Sequence, residues 1–254
     1  MTATRCTLSV NVNKVALLRN QRDLEIPSVV ELARVALDAG AHGITVHPRP
    51  DGRHIRVRDV DALAELLASP EYADREFNVE GNPLDAGGGH LMPILRRVRP
   101  DQATLVPDDP AQNTSDHGFA LTDPSVVETL RPYVSELLDL GCRVSLFVDP
   151  DVDVVRAAPA TGAQRLELYT ESYASAWGTG AGQETLSRFV AAGQAAHEVG
   201  LGLNAGHDLN LLNLAALVRA VPDLLEVSIG HALVADALIF GMTETVRRYL
   251  ACLE

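Results

Sequence analysis

Aromatic residues make up only 4% of this 254-residue chain, too few for the stacking platforms on which single-stranded nucleic acid is held. Basic residues are scarce as well. Lys and Arg total 21 against 34 Asp and Glu, a net charge of −13, so the surface repels polyanions and nucleic acid is not an expected partner. No apolar run reaches the roughly 18 residues of a membrane span, so no membrane partner is expected either. The three cysteines, Cys6, Cys142 and Cys252, are odd in number and far apart, with no CxxC pair. That usage points to a reducing cytoplasm and to no structural zinc site. The opening MTATRCTLSV lacks the basic segment and apolar stretch of a signal peptide, so no leader is expected. No Gly-x-Ser-x-Gly elbow, HxH or HExxH motif occurs. Low-complexity linkers and composition breaks are also missing, and one domain over 1–254 is the expectation.

What is present is a regular alternation. Eight short apolar segments, at 7–12, 43–47, 76–80, 103–106, 143–148, 165–169, 202–205 and 226–229, read as strands. Amphipathic stretches at 29–39, 60–67, 126–140, 186–199 and 211–221 lie between them, and 232–250 is long enough for a closing helix. Gly40, Gly141 and Gly200 are stop signals, while Pro27-Ser28 and Asp123-Pro124-Ser125 are start signals. Eight β-α units predict a (β/α)₈ TIM barrel with extra helices, and an open doubly wound sheet is the alternative. The Pro- and Gly-rich pieces 48–52, 81–89, 107–118 and 171–182 all follow strands. Loops at the carboxyl ends of barrel strands are where chemistry is placed.

The strand ends carry an unusual set of side chains. The stretch 42–56, HGITVHPRPDGRHIR, runs from a buried strand into His47, Arg49 and His54, a basic exception on an acidic chain. Strand one ends in Asn11, Val12, Asn13 and Lys14, strand three in Glu80, strand five at Asp149. Strand six carries Glu167 and Tyr169, strand seven ends in Asn204-Ala205-Gly206-His207, and strand eight in Gly230-His231. Glu167 lies between Leu166 and Leu168, so strand parity turns it toward the barrel axis if those leucines face the helices. Gly206 and Gly230, near strands seven and eight, read as a phosphate cradle. Histidines that titrate near neutrality beside carboxylates in a dry mouth favour proton transfer. The same His47, Glu80, Glu167 and His207 would also make a ligand set for a divalent ion. Without a short metal motif the acid–base reading is preferred, and no metal is expected.

Together GITVHPRPDGRHI (43–55), NVE (78–80), VSLFVD (144–149), NAGH (204–207) and IGHA (229–232) resemble the pyridoxine 5′-phosphate synthase family. The similarity runs from about residue 8 to the last helix. The resemblance implies a (β/α)₈ barrel, assembly as a homo-octamer or other homo-oligomer, phosphorylated small-molecule substrates, and no metal or organic cofactor. It also implies a ring-closing condensation of 3-amino-1-hydroxyacetone 1-phosphate with 1-deoxyxylulose 5-phosphate. By position, His47 and Glu80 resemble the family's general bases, His207 its proton donor, and Glu167 the carboxylate that stabilises charge. Arg49, His54 and Thr114 match positions that hold the deoxyxylulose phosphate. Asn11, Arg22, Gly230 and His231 match those that hold the amino ketone phosphate. Asn13, Lys14 and Asp208 occupy the same binding set as departures from the family's Asp, His and Gly. Tyr169 and Asp236 also depart, from His and Arg. An intact acid–base set with an altered binding set fits a divergent synthase or a paralogue condensing another amine–carbonyl pair. A non-catalytic barrel that binds phosphorylated ligands is the reading from a different class.

Overall fold

The computed structural model describes residues 6–85, 89–109 and 115–254. Eight parallel strands, β1 (Thr7–Asn11), β2 (Gly43–Val46), β3 (Glu76–Gly81), β4 (Gln102–Leu105), β5 (Arg143–Val148), β6 (Arg165–Tyr169), β7 (Gly202–His207) and β8 (Leu224–Ile229), pair in sequence order. β1 bonds to both β2 and β8, so the sheet closes into the expected barrel.

One strand parity supplies the apolar layer beneath the helices. Leu8, Val10, Ile44, Val46, Val79, Leu105, Val144, Leu146, Leu166, Leu168, Val227 and Ile229 are fully buried there. The other parity faces the barrel axis and is mostly polar, where bulky branched residues are usual. Hydrogen bonds crossing the interior establish this. Gln102 on β4 donates to Glu226 on β8 at 3.3 Å, and Asn204 on β7 donates to Gln102 at 3.2 Å. At the amino-terminal end Arg165 and Arg143 approach Glu226 at 3.2 and 3.8 Å. A middle layer joins Ser9 to Thr45 at 2.6 Å and Thr104 to Asn78 at 3.0 Å. Buried polar groups are mostly paired, and apart from Ser145 Oγ and Glu167 Oε2 the described interior is a bonded lattice. It leads upward to the carboxyl-end mouth.

The outer helices are α1 (Asn13–Arg19), α2 (Val29–Asp38), α3 (Val57–Leu67), α4 (Leu91–Val98), α5 (Pro124–Asp139), α6 (Val152–Ala157), α7 (Glu171–Ala176), α8 (Gly182–Glu198), α9 (Leu214–Ala220), α10 (His231–Phe240) and α11 (Met242–Ala251). Ser28 and Asp123 cap α2 and α5 through bonds from Glu31 N and Ser125 N, as their start signals predict. The structure corrects the reading in three places. The closing helix expected over 232–250 is two helices, because Gly241 adopts φ 78° between α10 and α11. Asn13 and Lys14, read as strand end, open α1 instead. The segment 171–182, read as loop, contains α7. No described helix is long and apolar enough to cross a membrane.

Candidate active site

The strand ends surround a cavity of about 320 Å³ at the carboxyl face of the barrel. Twelve of the fourteen residues expected in the site line it: Asn11, Asn13, Lys14, His47, Arg49, His54, Glu80, Glu167, His207, Asp208, Gly230 and His231. Arg22 is not among them. It sits exposed in the turn after α1. Thr114 lies outside the described residues. Ser115 and Ser228 join the lining without having been anticipated.

The first wall is built by a chain of short bonds. Asn11 Oδ1 accepts from Asn13 N at 3.0 Å, and Asn13 Oδ1 accepts from His47 N at 2.9 Å, which ties the start of α1 to the end of β2. Beyond His47 the loop is anchored from below. Arg19, 2% exposed, grips Asp59 at 2.5 and 2.9 Å and donates to His54 O at 3.3 Å. Asn20 Nδ2 donates to the same carbonyl at 2.8 Å. His54 is thereby fixed, with Ile55 N–H donating to its Nδ1 at 2.9 Å. That nitrogen acts as acceptor, so the neutral ring carries its proton on Nε2. Burial first, then the positive surroundings of His47, Arg49 and Lys14, push its pKa down to about 3.

Two histidine–carboxylate pairs face each other across the mouth. His47 Nδ1 stands 3.9 Å from Glu80 Oε2, and His207 Nδ1 stands 3.9 Å from Glu167 Oε1. Glu80 is raised well above the ordinary glutamate value by burial and by Glu167, Asp108 and Glu226. Burial raises Glu167 to about 8, and its Oε2 has no hydrogen-bond partner. His207 is lowered to about 4, mainly by desolvation. It takes the left-handed backbone (φ 86°), rare for a non-glycine residue, and packs against Phe147 and Tyr169 with ring centroids 4.8 and 5.7 Å away. Of these groups Glu167 is brought near neutral pH, where a buried carboxyl can exchange a proton.

Asp108, just beyond β4, was missed by the reading of strand ends. Its carboxylate lies 2.6 Å from His47 Nε2 and 3.1 Å from Arg49 NH2. Gly206 also makes room for a side chain of the neighbouring strand. A β-carbon there would come within 2.5 Å of Glu167 Oε1, so glycine gives the carboxylate its path. Gly230 abuts Asn11 and leads into the N-terminus of α10, which opens toward the cavity with His231. Among the described residues no three His, Cys, Asp or Glu side chains form a metal-ligand group.

The sequence model of the family described as "Pyridoxal phosphate biosynthesis protein PdxJ" matches residues 8–254. The chain is 52% identical over 251 residues to the pyridoxine 5′-phosphate synthase of Albidiferax ferrireducens, covering 97% of this chain and 96% of that protein. It is 50% identical over 255 residues to the pyridoxine 5′-phosphate synthase of Xylella fastidiosa, covering 98% and 95%. Among solved structures it is similar to tryptophan synthase from M. tuberculosis, with a TM-score of 0.66 at 14% identity over 98% of this chain and 93% of that one. Thiamine phosphate pyrophosphorylase from Pyrococcus furiosus gives 0.58 at 16% identity over 98% and 96%. These last two likenesses are of fold alone.

Proposed function

The chain belongs to the PdxJ family of pyridoxal phosphate biosynthesis proteins, and we propose that it is a condensing enzyme of vitamin B6 biosynthesis. Its reaction joins 3-amino-1-hydroxyacetone 1-phosphate to 1-deoxyxylulose 5-phosphate, giving pyridoxine 5′-phosphate, inorganic phosphate and water. The observation that carries the reading is the meeting, in one cavity, of the His47–Glu80 and His207–Glu167 pairs with the N-terminus of α10.

The chemistry matches those groups. Joining an amine to a ketone expels water, loss of phosphate follows removal of a carbon-bound proton, and ring closure followed by dehydration gives the aromatic product. The atoms balance without an external electron acceptor, so each step needs only protons delivered or taken at the right place. His47 takes protons from one side, and Glu80, which burial keeps protonated in the empty site, joins it once cationic charge on the bound substrate has drawn its own proton off. His207, neutral above about pH 4 in the empty site, takes up a proton in one step and gives it back from the other side in a later one. Glu167 lies beneath, where positive charge on the nitrogen develops; burial keeps it protonated in the empty site, and a cationic nitrogen beside it draws it to ionise and so stabilises that charge. Arg49, His54, Asn13 and Lys14 hold one phosphate end. Asn11, Gly230 and His231, with the first N–H groups of α10, hold the other. Arg22 and Thr114 are assigned to binding by family resemblance alone. The reading requires no metal or organic cofactor.

The Leu238, Ile239 and Phe240 side chains at the end of α10 are 76%, 74% and 39% exposed. An apolar patch of that kind marks an association surface, which supports a homo-oligomer, with the octamer as the expected form. A cytoplasmic location accords with three unpaired thiols. Asp208 in the cavity favours a second reading, in which the amine-bearing partner differs from that of the named reaction.

The test is incubation of the purified protein with the two substrates while following the pyridine chromophore and released phosphate. Both should appear together. Stable binding of both substrates without turnover would overturn the enzymatic reading in favour of a binding barrel.

A further inference from the structure

Asp108 has no part in the roles assigned above. It stands in Val106-Pro107-Asp108, just past β4, with its side chain 7% exposed. Arg49 NH2 lies 3.1 Å from Oδ1, and Ser115 Oγ donates to the same oxygen. Asn82 Nδ2 donates to the Asp108 carbonyl at 2.7 Å, which fixes the backbone. The remaining oxygen, Oδ2, lies 2.6 Å from His47 Nε2 as an ion-pair contact, and no described group meets hydrogen-bond geometry to it.

We infer that Asp108 is a positioning residue for His47: it fixes the ring proton on Nε2 and makes Nδ1 the nitrogen that accepts protons, a role that rests on the proposed reaction. An ionised carboxylate only accepts hydrogen bonds, so the nitrogen facing it at this distance carries hydrogen. Burial would raise the carboxyl, but His47, Ser115 and Arg49 outweigh it and hold Asp108 well below the usual range. In the neutral ring the lone pair then sits on Nδ1, turned toward Glu80 Oε2 at 3.9 Å. When Nδ1 takes a proton the ring becomes a cation, and Asp108 balances it in place. The other charged or titratable groups around the ring are Arg49 and His54 from the β2 loop, Lys14 from α1 and His207 from β7. Arg49 and Lys14 oppose a cationic ring, so the Asp108 carboxylate is the counterweight on the Nε2 side.

Two measurements test this. Two-bond ¹⁵N–¹H spectra of the free enzyme, with His47 assigned by its loss in His47→Gln, read the tautomer without any substrate. The neutral wild-type ring should be protonated at Nε2. In Asp108→Asn it should become a mixture, because an amide can donate as well as accept. In turnover, Asp108→Asn should lower kcat by about 10²-fold or more with a smaller change in KM, and Asp108→Glu should recover part of kcat. A wild-type ring protonated at Nδ1 overturns the inference, and that spectrum decides even if the variants fail to fold. An Asp108→Asn enzyme with kcat within about threefold of wild type and an unchanged tautomer also overturns it. A wild type inert toward both substrates, yet with an Nε2 proton that depends on Asp108, would refute the proposed reaction while upholding the pinning of the ring.

Discussion

The Glu167 carboxylate crosses directly over the α-carbon of Gly206, on the neighbouring strand, where an added β-carbon would lie 2.5 Å from Oε1 and 3.0 Å from Ser228 O. Gly206→Ala therefore has to push Glu167 away from His207. The expected result is a folded protein destabilised by about 1–3 kcal/mol, the usual cost of overpacking a filled interior. Turnover should fall at least about tenfold. Urea unfolding and steady-state kinetics measure the two effects, and a fully active Gly206→Ala enzyme would show that the position of Glu167 is immaterial.

Stability should fall as pH rises from about 6.5 to 8. Burial pushes Glu167 and Glu226 up to about 8, whereas in the unfolded chain glutamate ionises near about 4.3. Between those values the unfolded chain has released protons that the folded chain still holds, so each upward step in pH favours unfolding. Glu80, also raised, adds to the same slope. His54 and His207 act oppositely at lower pH. Unfolded histidine protonates below about 6.5, while the folded rings resist until about 3 and about 4, so stability is lost as pH drops through that window. Above 6.5 the carboxyl slope stands alone. Urea midpoints at pH 6.5, 7.2 and 8 should decline in order, and Glu226→Gln should flatten the decline. A midpoint that rises across this range would contradict the buried, protonated carboxyls.

The strand ends were legible because a buried parallel strand has only two parities, and Leu166 and Leu168 already turn Glu167 inward. His47 and Glu80 follow from the same rule, but His207 and His231 do not: Asn204, Glu226 and Ser228 hold the inward parity of β7 and β8, His207 turns in through its φ of 86°, and His231 opens α10. Ser228, which lines the cavity two residues after Glu226, was accessible to it and was passed over. Asp108 was not accessible. It stands in a loop, where no period relates sequence to direction, and only the fold brings it to His47. The short helices α1, α4, α6 and α7, of six to eight residues, also escaped, since hydrophobic periodicity needs a window of about 11 residues or more. Gly206 stands where the sequence puts it, and its room for the Glu167 carboxylate was not legible, because a glycine that admits a phosphate and one that admits a carboxylate look alike in sequence.

Arg19 and Asp59 form a buried pair, with side chains 2% and 9% exposed, and the same guanidinium holds the carbonyl of His54. Arg19→Met leaves a buried carboxylate without its partner and should cost about 3–5 kcal/mol. Replacing both, Arg19→Met with Asp59→Leu, should cost less than the single change, because no buried charge remains unpaired. The loop bearing His54 loses one of its two anchors in either case, Asn20 Nδ2 keeping the same carbonyl at 2.8 Å, so KM should rise even in the more stable double variant. Urea unfolding of the four proteins of this cycle gives the coupling, and additivity would show that the pair does not act as a unit.

His54 should bind and not titrate. With Nδ1 occupied by Ile55 N–H and the pKa near 3, the ring presents a neutral Nε2–H to the cavity at any working pH. His54→Ala removes one donor and should raise KM by about tenfold, the worth of a single hydrogen bond of ~1.4 kcal/mol, with kcat within about threefold. The His54 ring signals should stay those of the neutral form from pH 8 down to 5. Protonation of His54 near pH 6.5, or a kcat loss of about a hundredfold with KM unchanged, would move it from binding to catalysis.

Asp208 bears most directly on which substrate the site accepts. It lines the cavity beside His207, as do Asn11, Gly230 and His231, to which the proposed reaction assigns the amino ketone phosphate. Burial raises its carboxyl, Glu171 raises it further, and His231 draws it down. His231, not Lys14, is therefore the basic group that tempers it. A carboxylate and a phosphate ~5 Å apart repel by a few kcal/mol at an effective dielectric near 20, enough to weaken binding by about a hundredfold. A raised carboxyl offers one way out, since a proton on Asp208 converts repulsion into a donated hydrogen bond. In that case phosphate binding should weaken as pH rises and Asp208 ionises, and Asp208→Asn should remove that dependence while keeping affinity. If instead the site takes a partner with an amine or hydroxyl at this end, Asp208→Gly should tighten the amino ketone phosphate markedly, and Asp208→Asn should do the same. Calorimetric titration of the wild type and both variants with that ligand, at pH 6 and 8, separates the cases. Micromolar binding by the wild type at both pH values, unchanged in Asp208→Gly, would mean the side chain does not face the phosphate at all.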